Sequence, residues 1–188
     1  MGRTGIIILV ILGILVFWGI SVRNGLANSV VGINGKWGEV ETQYQRKKNL
    51  FDNVIATIKG SAKNEDTTLI KIVQMRSKIP NTIDQNDPQA LAKANAQFDQ
   101  LKSSINISVE AYPTIQTTQQ YRDFEAQIEG TENRIAVAIR DWNNAITDYN
   151  ARIVRFPNNL LAGLFGYHQK ANYKADEGAG QTKVDFGA

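Results

Sequence analysis

Hydrophobic residues in this chain form one unbroken run, followed by seams with helical spacing. The run covers residues 5–22, which carry no charge and are nearly all apolar. About 20 apolar residues cross the hydrocarbon core of a bilayer as a helix, and Trp18 lies near one end, where an aromatic ring suits the interface. We therefore expect a transmembrane anchor over residues 1–23. Its apolar side chains are Ile6, Ile7, Ile8, Leu9, Val10, Ile11, Leu12, Ile14, Leu15, Val16, Phe17, Trp18 and Ile20.

A cleaved signal peptide is the alternative interpretation of this run, because Gly25 and Ala27 are small residues before a possible cleavage point. The run is long for a signal peptide, so we favour a single-pass protein of the inner (cytoplasmic) membrane. Arg3 flanks the run on one side and Arg23 and Lys36 on the other, which is close to a tie under the positive-inside rule. The short charged start resembles a signal-anchor and favours a bundle outside the cytoplasm.

Beyond the run, apolar residues recur at spacings of four and three, which is typical of a helix packed along its whole length. This rhythm continues from Leu26 to Ile72 and predicts one long helix. The helix should end near Ile79, since Pro80 disfavours helical backbone at the residue before it.

Two more seams predict a second helix over residues 87–112, with Asp87 as N-cap, and a third from about 117 to 155. A short apolar turn or helix follows, and residues 175–188 read as a loose tail. The predicted fold class is all-α, with one N-terminal transmembrane helix followed by an antiparallel bundle of long helices over residues 24–174.

The predicted helices have unequal lengths, and the second is too short to cover both the first and the third. Part of the first seam, near the membrane, therefore has no obvious partner in its own chain. Nearby glycines would let helices approach closely; they are Gly25, Gly32, Gly35 and Gly38. We expect a homo-oligomer whose contact seam consists of Leu26, Val30, Ile33 and Trp37.

A lysine, Lys47, falls on the first seam. A bare buried charge is expensive, so Lys47 should pair with an acid of the third helix: Glu125, Glu129, Glu132 or Asp141. The leading interpretation is a charge that fixes helix register and oligomer state, and an anion site is the alternative. Its neighbours Arg46 and Lys48 point about 100° away on a helix, so the three cannot form one patch. Lys48 can instead pair with Asp52.

The composition argues against several classes of function. The chain has 21 Lys and Arg against 18 Asp and Glu, a net charge of +3. Without Arg3 and Arg23, which flank the anchor, 19 remain against 18, which weighs against a nucleic-acid partner. Cysteine is absent, His168 is the sole histidine, and no metal-ligand spacing or catalytic motif occurs. We expect no enzyme activity, cofactor, metal or small-molecule substrate.

The stretch from Trp37 to Leu69 resembles the signature of the LemA family. Matching positions are Trp37, Arg46, Lys47, Leu50, Asn53, Lys59, Gly60 and Glu65. Further matches are "EAYP" at 110–113, "GTENRIAVAIRDWN" at 130–143, "YN" at 149–150, "FP" at 156–157 and "VDF" near the end. The chain departs from the family at Asn49, Asp52 and Asn64. The resemblance implies a single N-terminal anchor and a helical bundle in bacteria, with no established enzyme activity.

Together these patterns predict a membrane-anchored, non-enzymatic scaffold or assembly protein of the bacterial cell envelope. It would act through helix–helix contacts with itself or with other envelope proteins. The alternative is a binding module that holds a peptide or a lipid headgroup in a groove of the bundle.

Overall fold

The computed structural model describes residues 2–61, 67–111 and 116–174. The helices in these ranges are α1 (Arg3–Ser61), α2 (Thr67–Lys78), α3 (Pro88–Ala111), α4 (Gln119–Val154) and α5 (Asn158–Leu164). No strand occurs within the described ranges. The predicted fold class is confirmed: the chain is all-α, with a long apolar N-terminal helix followed by bundled helices. The family-matching position Glu65 and the predicted tail over 175–188 lie outside the described residues.

Contacts divide the chain into two compact units, and the first comprises Met1–Gly38 with Ala138–Asn172. In this unit residues 26–38 of α1 and the second half of α4 run antiparallel. Trp37 packs against Trp142 with ring centroids 4.9 Å apart, while Ser29, earlier in α1, meets Arg152, later in α4. The core is formed by side chains at the predicted three- and four-residue spacing, namely Leu26, Ile33, Trp37, Trp142, Ile146, Tyr149 and Ile153.

The second unit comprises Glu39–Val137 and Tyr173–Ala188. Here α2, α3 and the first half of α4 pack around the distal part of α1. Its core is aromatic at the centre and aliphatic towards the ends, with Tyr44, Phe51, Ile58, Phe98, Leu101, Ile105, Phe124 and Ile128 buried. Thr131 occupies the position where the α4 seam skips an apolar residue. It is fully buried, and its hydroxyl donates to the Gln127 carbonyl at 2.8 Å, so the seam continues without an unpaired polar group.

The prediction of one continuous helix from Leu26 to Ile79 is wrong, although its predicted end before Pro80 is confirmed, because α2 ends at Lys78. α1 ends at Ser61 and α2 begins at Thr67, and α2 runs back along α1. The Arg76 guanidinium donates from Nε and Nη2 to the two carboxylate oxygens of Asp52, at 2.6 and 2.9 Å. Asp52 is therefore paired with Arg76 rather than with the expected Lys48. The spacing of apolar residues by threes and fours continues from α1 into α2. The spacing alone therefore does not reveal that the chain reverses direction between these two helices.

Two helix ends show the expected capping chemistry. The carboxylate of Asp87 accepts a hydrogen bond from the Ala90 amide at 3.1 Å, which confirms the predicted N-cap of α3. At the end of α5, the amide of Gly166 donates to the Gly163 carbonyl and the amide of Tyr167 to the Ala162 carbonyl. This is a Schellman motif. Gly166 has φ +74°, a conformation that glycine adopts without steric cost.

Candidate functional site

Lys47 is the buried charge of the second unit. Its residue is 3 % exposed, because the helical spacing of α1 places position 47 on the same face as Tyr44, Phe51 and Val54. Its ammonium lies 3.4 Å from Oε1 of Glu132 on α4. It also lies 5.1 Å from the centroid of the Phe98 ring on α3, within the range of a cation–π contact.

The surroundings of Lys47 are a chain of aromatic rings. Tyr44 and Phe51 of α1 both contact Phe98, with centroids 5.6 and 5.0 Å apart. Phe51 also meets Phe124 of α4 edge-on at 5.3 Å. One ammonium thus contacts side chains from two other helices inside an apolar core. Of the four acids expected as its partner, the structure selects Glu132. A role for Lys47 in fixing helix register stays a prediction.

Tyr44 connects this core to the segment after α2. Its hydroxyl donates to the Pro80 carbonyl at 2.7 Å, and the neighbouring Gln45 amide donates to the Asn81 carbonyl. Burial raises the pKa of the Tyr44 phenol to about 12, although the positive charge of Arg76 acts in the opposite direction. The phenol therefore remains a neutral hydrogen-bond donor at physiological pH, and its role is structural.

The residues proposed as an oligomer seam lie in the first unit, covered by their own chain. Leu26, Ile33 and Trp37 are buried and Val30 is half-buried, because α4 extends along this part of α1. Lys36 and Asp141 add an ion pair at 3.8 Å between the same two helices. The seam was proposed because it had no partner within the chain, and that premise is wrong. Self-association itself stays a prediction.

A groove in the first unit has both apolar side chains and a positively charged side chain in its lining. It has a volume of about 320 Å³. Its lining residues are Trp18, Ser21, Val22, Gly25, Leu26, Arg152 and Asn158. Arg152 donates from Nη1 to the Ser29 hydroxyl at 3.2 Å, and its side chain is exposed. The arrangement offers apolar contact on α1 and a guanidinium, the side-chain group suited to phosphate and carboxylate.

The anchor side chains project from all sides of the first part of α1. Every predicted anchor residue except Trp18 is exposed, and Trp18 is half-exposed where it lines the groove. By length and composition, this helix is able to cross a membrane. The anchor thus supports membrane localisation.

Some residues of these sites carry no signal in the sequence. Arg152 and Asn158 read as ordinary polar positions at the end of a helix, and only the tertiary packing brings them beside Trp18.

His168 is exposed, and its carbonyl, not its ring, accepts a hydrogen bond from the Tyr149 hydroxyl at 3.0 Å. Within residues 2–61, 67–111 and 116–174, no group of three or more metal-ligating side chains is clustered.

These features define an all-α protein in which one helix of the described residues is able to span a membrane. The sequence model of the LemA family matches residues 36–186. The chain belongs to the LemA family.

Individual relatives align with most of this chain. Protein LemA of Metamycoplasma hominis is 26% identical over 167 residues, covering 88% of this chain and 75% of that protein. Magnetosome protein MamQ 2 of Paramagnetospirillum magneticum is 27% identical over 172 residues. Magnetosome protein MamQ of Magnetospirillum gryphiswaldense is 24% identical over 172 residues. Both alignments cover 79% of this chain but only 63% of the magnetosome proteins. None of these names denotes an enzyme.

Proposed function

We propose that this chain is a membrane-anchored, non-enzymatic scaffold or assembly protein of the bacterial cell envelope, which self-associates through helix–helix contacts. The proposal places the anchor in the cytoplasmic membrane with the bundle outside the cytoplasm. The observation that carries it is the continuity of α1. One helix, Arg3–Ser61, provides both the apolar segment and a core strip of each compact unit.

This continuity favours a scaffold because no flexible linker interrupts α1 between the apolar segment and the packed part of the helix. A helix anchored in this way would present its outer face at a fixed height above the bilayer. The names of the magnetosome relatives place those proteins in an organelle, which fits a role in assembly for this family member too.

Self-association is assigned to the outer face of α1, opposite the buried seam. Val31 is 68 % exposed there, and Gly32 and Gly35 are exposed beside it. A Cβ atom built on either glycine meets nothing within 4 Å, so a second copy of the helix has room to approach. Small residues favour such close approach at and near the bilayer.

The test is the mass of the intact chain by light scattering in mild detergent. We expect an oligomer, and we expect Gly35→Leu to lower its mass while helical content stays unchanged. Gly60→Leu is the matched control, because Gly60 is an exposed glycine near the other end of α1 whose Cβ also meets nothing within 4 Å. A monomeric parent protein, or equal effects of the two variants, would contradict the proposed contact face.

A lipid-headgroup binding module is the second candidate, favoured by the groove that contains Arg152. Its test is native mass spectrometry of the intact chain with phosphatidylglycerol or phosphatidylcholine. We expect retained phosphatidylglycerol and its loss in Arg152→Gln. The control is Arg140→Gln, at an exposed position of α4 that does not line the groove. Equal retention of both lipids would argue against this function.

A further inference from the structure

α5 directs its large apolar side chains away from the protein. Ala162 is 1 % exposed and faces inward. Leu160 and Leu164 lie two positions to either side of it, so both project from the opposite face of the helix. They are 63 % and 77 % exposed, and Phe156, just before the helix, is 80 % exposed. Large apolar groups clustered on a surface mark an interaction site rather than ordinary surface composition.

The orientation of α5 is fixed by contacts of the segment that follows it. The Schellman motif at Gly166 turns the chain so that Tyr167 points back to α1. The segment that follows is held to α4, because the Asn150 side chain donates to the Lys170 carbonyl at 2.8 Å and accepts from the Lys170 amide at 2.9 Å. The outward direction of the leucines therefore follows from specific bonds within the first unit.

These bonds also place α5 at the end of the apolar run. Asn158, its first residue, lines the same groove as Trp18 and Val22. The Tyr167 hydroxyl lies 3.5 Å from the carbonyl of Arg23. Arg23 is the first charged residue after the run. The exposed apolar face of α5 is thus level with the last turn of the segment that spans the membrane.

The segments that meet near α5 carry basic side chains and no acidic ones. Residues 17–35 and 149–172 contain no Asp or Glu, and their basic residues are Arg23, Arg152, Arg155 and Lys170. The acids of the first unit are Asp141, which pairs with Lys36, and Asp148. The near balance of charge over the whole chain hides this difference. A basic surface beside exposed leucine and phenylalanine is the character of helices that lie in the headgroup region of anionic bilayers.

We propose that α5 and the preceding Phe156 lie in the membrane interface, with Leu160 and Leu164 in the acyl-chain boundary and Arg155 at the anionic headgroups. The chain would then contact the bilayer twice, through the span of α1 and through this second element. The second contact would fix the rotation of the first unit about the anchor axis. This inference rests on the proposed membrane anchoring.

The test uses the full chain in vesicles of phosphatidylcholine and phosphatidylglycerol, with one nitroxide label per protein. Because the chain has no cysteine, each introduced cysteine is unique. The labelled positions are Leu160→Cys and Leu164→Cys on α5, Leu12→Cys in the span, and Ser103→Cys at an exposed position of the second unit. The readout is the collision rate of each label with oxygen, which enters lipid, and with a water-soluble nickel chelate.

We expect the oxygen-to-nickel ratio at Leu160 and Leu164 to be severalfold higher than at Ser103 and lower than at Leu12. Nickel accessibility at α5 equal to that at Ser103 would overturn the inference while leaving the anchor intact. Low collision rates with both reagents would also overturn it, because they would show that a second protein copy covers α5. A water-accessible label at Leu12 would overturn the anchoring as well.

A second measurement examines the charge. Arg155→Glu, combined with the label at Leu164, should lower the oxygen-to-nickel ratio in vesicles containing phosphatidylglycerol. Asp148→Lys is a control for nonspecific attraction, since Asp148 is exposed on α4 two helical turns from Arg155; it should leave the ratio unchanged. An unchanged ratio in Arg155→Glu would overturn the headgroup contact.

Discussion

The Lys47–Glu132 pair predicts that two substitutions at one contact have very different effects. Glu132→Gln removes the negative charge and leaves the ammonium of Lys47 buried among aromatic rings. Lys47→Met removes the buried charge itself and keeps a flexible apolar side chain that packs well against rings. Breaking a buried pair is costly, whereas replacing the charge by an apolar group of similar size is often neutral or stabilising.

The geometry sets the size of the effect. At 3.4 Å between Nζ and Oε1, two unit charges attract by about 5 kcal/mol at an effective dielectric constant of ~20 and by about 1 kcal/mol in bulk water. Lys47 is buried, but the Glu132 side chain is 37% exposed, so the pair lies between these limits. We expect Glu132→Gln to lower the free energy of unfolding by about 2 kcal/mol and Lys47→Met to change it by less than about 1 kcal/mol.

The assay is urea denaturation followed by circular dichroism, on the parent, both single variants and the double variant. In the double variant the loss of Glu132 should cost nothing further, because no buried charge remains to be neutralised. The control is Asp141→Asn in the exposed Lys36–Asp141 pair, which should cost about 0.5 kcal/mol or less. Equal costs for Glu132→Gln and Lys47→Met would show that an unpaired buried ammonium is not what destabilises the Glu132→Gln variant.

Three further predictions follow from other residues. Ser108 is 1 % exposed and its hydroxyl has no hydrogen-bond partner, so Ser108→Ala should raise the free energy of unfolding by about 1 kcal/mol; an equal gain from Ser104→Ala, whose hydroxyl is bonded, would contradict this. The raised pKa of Tyr44 predicts stability that is full below about pH 10 and falls as pH rises towards 12; in alkaline melts Tyr44→Phe should reduce that fall, and an identical pH profile would contradict it. A cysteine at Ser103 should react with a membrane-impermeant thiol reagent in cells with a permeable outer layer, and labelling only after lysis would reverse the proposed orientation.

The helices and their buried faces follow closely from the spacing of apolar residues. In α3 the apolar residues that recur at spacings of three and four are buried. In α4 the polar gap at Thr131 is closed by a hydrogen bond within its own helix. Local rules also placed Asp87 as the N-cap. These features depend on residues within one or two helical turns, which a sequence displays directly.

Features that depend on where distant segments meet could not be predicted. The rhythm through Ile72 gave no sign that the chain reverses before α2, and that error produced an apparently uncovered seam at Leu26 and Trp37. The periodicity of α5 identifies Leu160 and Leu164 as apolar, but it does not say whether their face meets protein or lipid. The basic surface around Arg152 is likewise hidden, because its members come from α1, α4 and the segment after α5.

We infer that residues 5–22 remain attached to the folded chain as its membrane anchor. The most direct measurement is the intact mass of the protein recovered from cell membranes after an alkaline carbonate wash, which removes peripheral proteins. We predict that the washed membranes retain the protein and that its mass includes the N-terminal segment. A shortened chain cleaved near Ala27 and released into the soluble fraction would contradict the account.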